Sequence, residues 1–140
     1  MRGAAVALLI AFGVAIPAAA DTIDVLKTST LVLTAPGGGS MVLLVAEDGR
    51  MQQVNARGMW AAGFWSMQER GFCWTARGES EVCIPLPADK AVGDVWDITG
   101  PTGRVAWSAE IREGRADLKA MGESIKDGAS GEAAASEDKE

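Results

Sequence analysis

Histidine and tyrosine are absent from the 140 residues, and cysteine occurs only as Cys73 and Cys83. Without His, the Ser–His–Asp and Cys–His nucleophilic devices are excluded, and so are His-based metal hydrolases. Two cysteines alone supply at best half of a zinc site. They are also not spaced as the C-x-x-C of a redox pair. What survives as catalysis is carboxylate chemistry or a Ser–Lys pair. The candidate acids Glu79 and Glu81 lie at a turn, RGESE, where charged side chains face water. Glycoside hydrolysis needs two carboxyls converging across a cleft, which nothing in this pattern supplies. The sequence therefore points away from an enzyme and implies no metal and no cofactor.

Long apolar runs are also missing, except at the start. Met1-Arg2 precedes the uncharged GAAVALLIAFGVAIP, and Ala18-Ala19-Ala20 follows before Asp21. A basic start, an apolar core and a small-residue ending are the parts of a secretory signal peptide. The core is shorter than the ~20 residues of a membrane span, and no cysteine follows it to carry a lipid. An uncleaved helical anchor is the competing reading. Cleavage after residue 20 leaves a periplasmic or secreted chain without a membrane span, in an oxidising compartment.

Positive charge is in short supply. Thirteen Lys and Arg stand against nineteen Asp and Glu, a net −6, which becomes −7 once Arg2 leaves with the leader. A nucleic-acid binder normally shows a basic face, so the charge argues against that partner class.

What is present is a series of turn signals: PGGGS, EDGR, ERG, RGES, PADKAVGD, GPTG and EGR. Glycine with Pro, Asp or Ser marks tight turns. Between them lie short runs rich in Val, Ile, Leu, Thr, Trp and Phe, which place strands near 30–35, 41–46, 50–55, 63–68, 71–76, 81–86, 94–99 and 104–112. About eight short strands with closely spaced turns mean an all-β antiparallel domain, a small sandwich or an up-and-down barrel. DTIDVLKTST is expected to open with a helical turn capped by Asp21. The domain is bounded at 21–118. From residue 119 the chain is Ala, Gly, Ser and charge, which predicts a disordered acidic tail over 119–140; a short helix around 116–127 is the alternative.

GFCWTARGESEVCIPLP tests as a hairpin. With the turn about Gly78, Phe72 faces Ile84, Cys73 faces Cys83 and Trp74 faces Val82. Side chains alternate along a strand, so Phe72, Trp74, Val82 and Ile84 share the core side and both cysteines lie opposed on the other. Opposed residues are close enough for a disulfide, and the pair reads as one structural bridge.

Five tryptophans stand out in so short a chain. Trp107, in step with Val105, Ala109 and Ile111, and Trp74, in step with Phe72, read as core. Trp96 pairs with Ile98 on an inward face. Trp60 and Trp65 belong to GMWAAGFWSM, whose glycines signal a bend or bulge that re-aims side chains. These two are the candidate binding residues, exposed to line a sugar or other ligand.

The order KTSTLVLTAPGG, EDGR, GMWAAGFWSM, FCW, VCIPL, GDVWDI resembles a family of small secreted alphaproteobacterial domains of unknown function. Those domains carry a D-G turn, a G-x-W strand, a C-W dipeptide and a second Cys about ten residues on. The resemblance covers residues 27–111 and implies a β-rich envelope protein with a disulfide hairpin; it brings no catalytic residues. The functional expectation is a monomeric binding or interaction module of the cell envelope, its partner an envelope protein or a glycan. The alternatives are a barrel-type carrier of a small apolar ligand and, last, a carboxylate-based hydrolase.

Overall fold

The computed structural model describes residues 21–137, with side chains as far as residue 128; the expected leader lies outside this range. A short helix α1 (Thr22–Leu26) leads into eight strands: β1 (Thr30–Thr34), β2 (Ser40–Val45), β3 (Arg50–Val54), β4 (Trp60–Gln68), β5 (Gly71–Ala76), β6 (Val82–Ile84), β7 (Val95–Thr99) and β8 (Val105–Arg112). A second helix, α2 (Leu118–Glu137), follows. Among the described residues no helix is long and apolar enough to cross a membrane.

All pairings are antiparallel, in the spatial order β6-β5-β4-β3-β2-β1-β8-β7. Every strand lies beside its neighbours in the chain, and β1 pairs with β8, so the meander curls round on itself. The exception is the β6–β7 pair, which leaves a seam. Of the two architectures the sequence left open, the protein takes the barrel: an eight-stranded, nearly closed antiparallel sheet.

The barrel interior follows from alternation. Leu31 sits across from both Leu43 and Ile111, Leu33 across from Met41 and Ala109, and Val45 across from Met51. These side chains fill the centre together with Phe72, Trp74, Ile84 and Ile98. An eight-stranded barrel is just wide enough for side chains to fill it, and here they do.

One polar chain crosses this core. The Trp74 indole Nε1 donates to Gln53 Oε1 at 3.1 Å, and Gln53 Nε2 donates to Glu79 Oε2 at 2.8 Å. Gln53 is 1% exposed, so its amide is satisfied inside rather than by bulk water. One end of the barrel is held by α1. Leu26 enters the core, and the buried Thr22 hydroxyl donates to the Pro87 carbonyl while accepting from the Lys90 N–H. Thus α1 pins the 85–94 connection that runs between the two seam strands. Asp21 does occupy the N-cap position, but its side chain makes no capping bond.

The β5–β6 hairpin has the expected register throughout: Phe72 with Ile84, Cys73 with Cys83, Trp74 with Val82. Cys73 and Cys83 form the disulfide, tying the three-residue strand β6 to the sheet. Gly78, at φ +83°, provides the turn conformation that L side chains rarely adopt.

Three expectations are corrected. The stretch expected to be disordered from residue 119 is helical through Glu137. Its first turns are seated on the outer face of the sheet, where Leu118, with Ala116 and Met121, covers Val32, Val42, Leu44 and Val54. Packing supplies what weak local composition does not. Strand β4 begins at Trp60 rather than near residue 63, and Gly63 lies inside it because β5 passes so close that a Cβ there would meet the Thr75 carbonyl. Val105, placed inward by the sequence, is 41% exposed, because the β7–β8 register slips between Ile98 and Thr99.

Candidate functional site

Strand β4 carries the site, and its alternation decides which residues belong to it. Trp60, Ala62 and Phe64 point outward; Gly63 and Trp65 belong to the inner side. The continuous register from Val54↔Trp60 to Arg50↔Phe64, and on to Phe64↔Thr75 and Trp65↔Trp74, leaves no bulge to change this parity.

The two expected binding tryptophans therefore do not come together. Trp65 packs against the core, its ring 5.8 Å from Phe72 between centroids, and its Nε1 donates to the Ala46 carbonyl at 2.8 Å. Trp65 is half-buried rather than exposed, because five positions, an odd number, separate it from Trp60 on an unbroken strand. Trp60 is on the outside, 37% exposed. The residue that accompanies it is Phe64, 69% exposed, which is not among the residues expected from sequence. Its signal was the even spacing from Trp60.

Around these rings lies a groove of about 720 Å³ on the outer face of β2–β5. Its floor is Ala62, with Leu44 and Ala46 at one side. Gln52 lies directly across from Ala62 on β3, and the Arg77 N–H bonds to the Ala62 carbonyl on the β5 side. Arg50 and Thr75 flank Phe64 in the same row.

Each polar group is partly committed. Trp60 Nε1 donates to Gln52 Oε1 at 3.1 Å, which ties the two side chains together. The Lys119 ammonium stands 4.5 Å from the Trp60 ring centroid, a cation–π contact from the first turn of α2. Arg50 pairs with Asp48 at 3.3 Å, both well exposed. Arg115 Nη1 donates to the carbonyls of Lys27 and Val45, at 2.7 and 3.0 Å, and so joins α1 to β2 at the groove margin. Glu79 is the one carboxylate in the lining, and it already accepts from Gln53. Paired-carboxylate chemistry would need a second acid at this place.

Other clusters carry less. Cys73, Glu81 and Cys83 lie close enough to suggest a metal site, but both sulfurs are spent in the disulfide. Glu81 is paired with Arg70 at 2.6 Å. A smaller cleft of about 270 Å³ lies beside the start of α2, between Val32, Val42 and Met121. The indole N–H of Trp96 is buried without a hydrogen-bond partner among the described residues, and the Lys90 ammonium lies 5.6 Å over that ring.

The groove, then, is an aromatic and arginine-lined surface on the outside of a filled barrel. Comparison with protein-family models, with curated proteins and with solved structures finds no match to this chain.

Proposed function

We propose that the protein is an exported binding module of the cell envelope that takes its ligand on the outer face of β3–β5. The observation that carries this reading is the pair of exposed rings, Trp60 and Phe64, fixed on one strand over an alanine floor. Exposed apolar patches rimmed by polar groups mark interaction sites, and concave surfaces with a few placed polar groups mark ligand sites. Export is supported by the composition of residues 1–20 and by the disulfide, which persists in oxidising compartments. A carrier that holds its ligand inside the barrel is the weaker reading, since Phe72, Trp74, Met51 and the surrounding leucines occupy that space.

The test is amide chemical-shift mapping of residues 21–140. The labelled protein is titrated with a neutral oligosaccharide, an acidic oligosaccharide, a long-chain carboxylate and an apolar peptide. The expected shifts cluster at residues 50–54, 60–66 and 73–77 for at least one ligand class, and Phe64→Ala weakens that binding. Shifts confined to the β6–β7 seam or the inner face, or none with all four ligands, refute the reading.

A further inference from the structure

The chemistry of the groove selects among ligands, and the inference drawn from it rests on the binding reading above. Along β4, Trp60 and Phe64 are four residues apart, so their Cα atoms are separated by about 13 Å, with Ala62 about 6–7 Å from each. The two rings thus leave the same outward side of one strand, with the Ala62 methyl group between them.

The polar side chains lining the groove are mostly donors. Gln52 offers its amide N–H groups, because its oxygen is held by Trp60. Arg50 and Arg77 offer guanidinium forks, and Thr75 adds a hydroxyl. The one carboxylate, Glu79, is already engaged with Gln53. A neutral sugar, whose hydroxyls must also donate, would find few acceptors here. An anion would find donors on both sides.

Charge agrees with this. The chain carries a net −6, yet three arginines and a single glutamate line the groove. Arg115 is held by backbone carbonyls and contributes only its field. The Arg50–Asp48 pair is 75% and 57% exposed on its two side chains, so it is weak and open to exchange. Arg77 has no ion-pair partner among the described residues. A fatty chain fits poorly, because Gln52 and the arginines interrupt the apolar surface on both sides of Ala62.

We propose that the groove is a subsite for a carboxylate-bearing pyranose, one residue of an acidic glycan. The sugar ring lies between Trp60 and Phe64 with its C–H faces toward the aromatic rings. Its carboxylate is received by Arg77, with Arg50 released from Asp48 to assist, and Gln52 and Thr75 donate to ring or hydroxyl oxygens. Arg77 is the residue that sets specificity for the acid over its neutral counterpart.

The experiment is isothermal titration with tetragalacturonate and with a hyaluronan tetrasaccharide, whose uronate hydroxyls differ in stereochemistry. The methyl ester of the first, cellotetraose and dodecanoate run alongside. At least one acidic tetrasaccharide is expected to bind with Kd in the millimolar range or tighter. Esterification and Arg77→Gln should each weaken it about tenfold or more, and added salt should weaken it as well. Phe64→Ala should weaken the acid and the ester alike.

An ester that binds as tightly as the acid, or Arg77→Gln without effect, overturns the acidic-glycan assignment. If Phe64→Ala still abolishes binding in that case, the groove itself stands. Dodecanoate binding that is lost in Phe64→Ala, with neither acidic tetrasaccharide bound, replaces the sugar by an amphiphile and leaves the groove reading intact. Binding of any probe that is indifferent to both Phe64→Ala and Arg77→Gln removes the groove and the sugar together. No binding by either acidic tetrasaccharide overturns the proposal.

Discussion

Replacing Gly122 by alanine sets two effects of opposite sign against each other. In an exposed helix interior the change stabilises by about 0.5–1 kcal/mol, since alanine favours helix and loses less freedom on folding. At residue 122 an added Cβ would lie 2.5 Å from the Gly58 carbonyl oxygen and 3.2 Å from Val54 Cγ2. The first of these atoms is backbone in the β3–β4 turn and cannot swing aside. Ordinary contact requires α2 to retreat by close to 1 Å, which loosens Leu118 and Met121 over Val32, Val42, Leu44 and Val54. Full exposure of Leu118 would cost about 2–3 kcal/mol. A partial loss there and at Met121, set against the propensity gain, leaves a net destabilisation of about 1–2 kcal/mol. For a domain of this size that lowers Tm by roughly 4–8 °C. Gly128→Ala lies on the same helix with nothing within 4 Å of its added Cβ, and should leave Tm unchanged or raise it by up to about 4 °C. Circular dichroism melts of the two variants, recorded beside wild type, test the pair. A Gly122→Ala protein that melts as high as Gly128→Ala would show that α2 does not rest on the β3–β4 turn.

Two further perturbations have definite expected outcomes. Cys73→Ser with Cys83→Ser removes a bridge closing a loop of ten residues' separation; the chain-entropy relation gives a loss of about 3 kcal/mol and a fall in Tm of roughly 10 °C, and equal melting of oxidised wild type and variant would refute the stapling role. Gln53→Leu leaves the buried Trp74 N–H without its acceptor and Glu79 without its donor, and should cost about 1–3 kcal/mol; an unmoved urea midpoint would show that the core does not depend on this polar chain.

Much of the barrel was legible because its information is local. Strand positions followed from turn residues and apolar runs, and the β5–β6 register followed from counting outward from Gly78. The disulfide then came as a consequence of that register. The failures share a different origin. α2 carries only Leu118, Met121 and Ile125 as large apolar residues, and its seat depends on Gly58 and Gly122 allowing backbones to touch. Sixty-odd positions separate those glycines, and no period along the chain announces such a contact. At the site, the glycines of GMWAAGFWSM signal a bend or bulge on composition alone, whereas Gly63 is there because β5 comes too close for a side chain. Treating the segment as one strand would have put Trp65 inside and Phe64 outside by parity alone. The groove's arginines could not have been assembled from sequence, since Arg50 opens β3, Arg77 lies in the β5–β6 turn and Arg115 in the connection from β8 to α2.

The placement of the groove follows from the size of the barrel. Eight strands enclose room for side chains but little more, and this interior is taken by Phe72, Trp74 and a dense set of leucines and valines. A binding function on such a scaffold has to be built outside it. The outer face is hydrophobic in two adjoining parts: one under α2 at β1–β3 and the other, at β3–β5, left open. Trp60 stands at the border between them, with Lys119 of α2 over its ring and Gln52 of β3 on its indole N–H. The helix that covers the first part thus also holds the ring that opens the second. Stability and binding are thereby linked at both margins of the groove: whatever displaces α2 from Gly58 removes a contact from Trp60, and whatever loosens the β5–β6 hairpin loosens Thr75, Arg77 and Glu79.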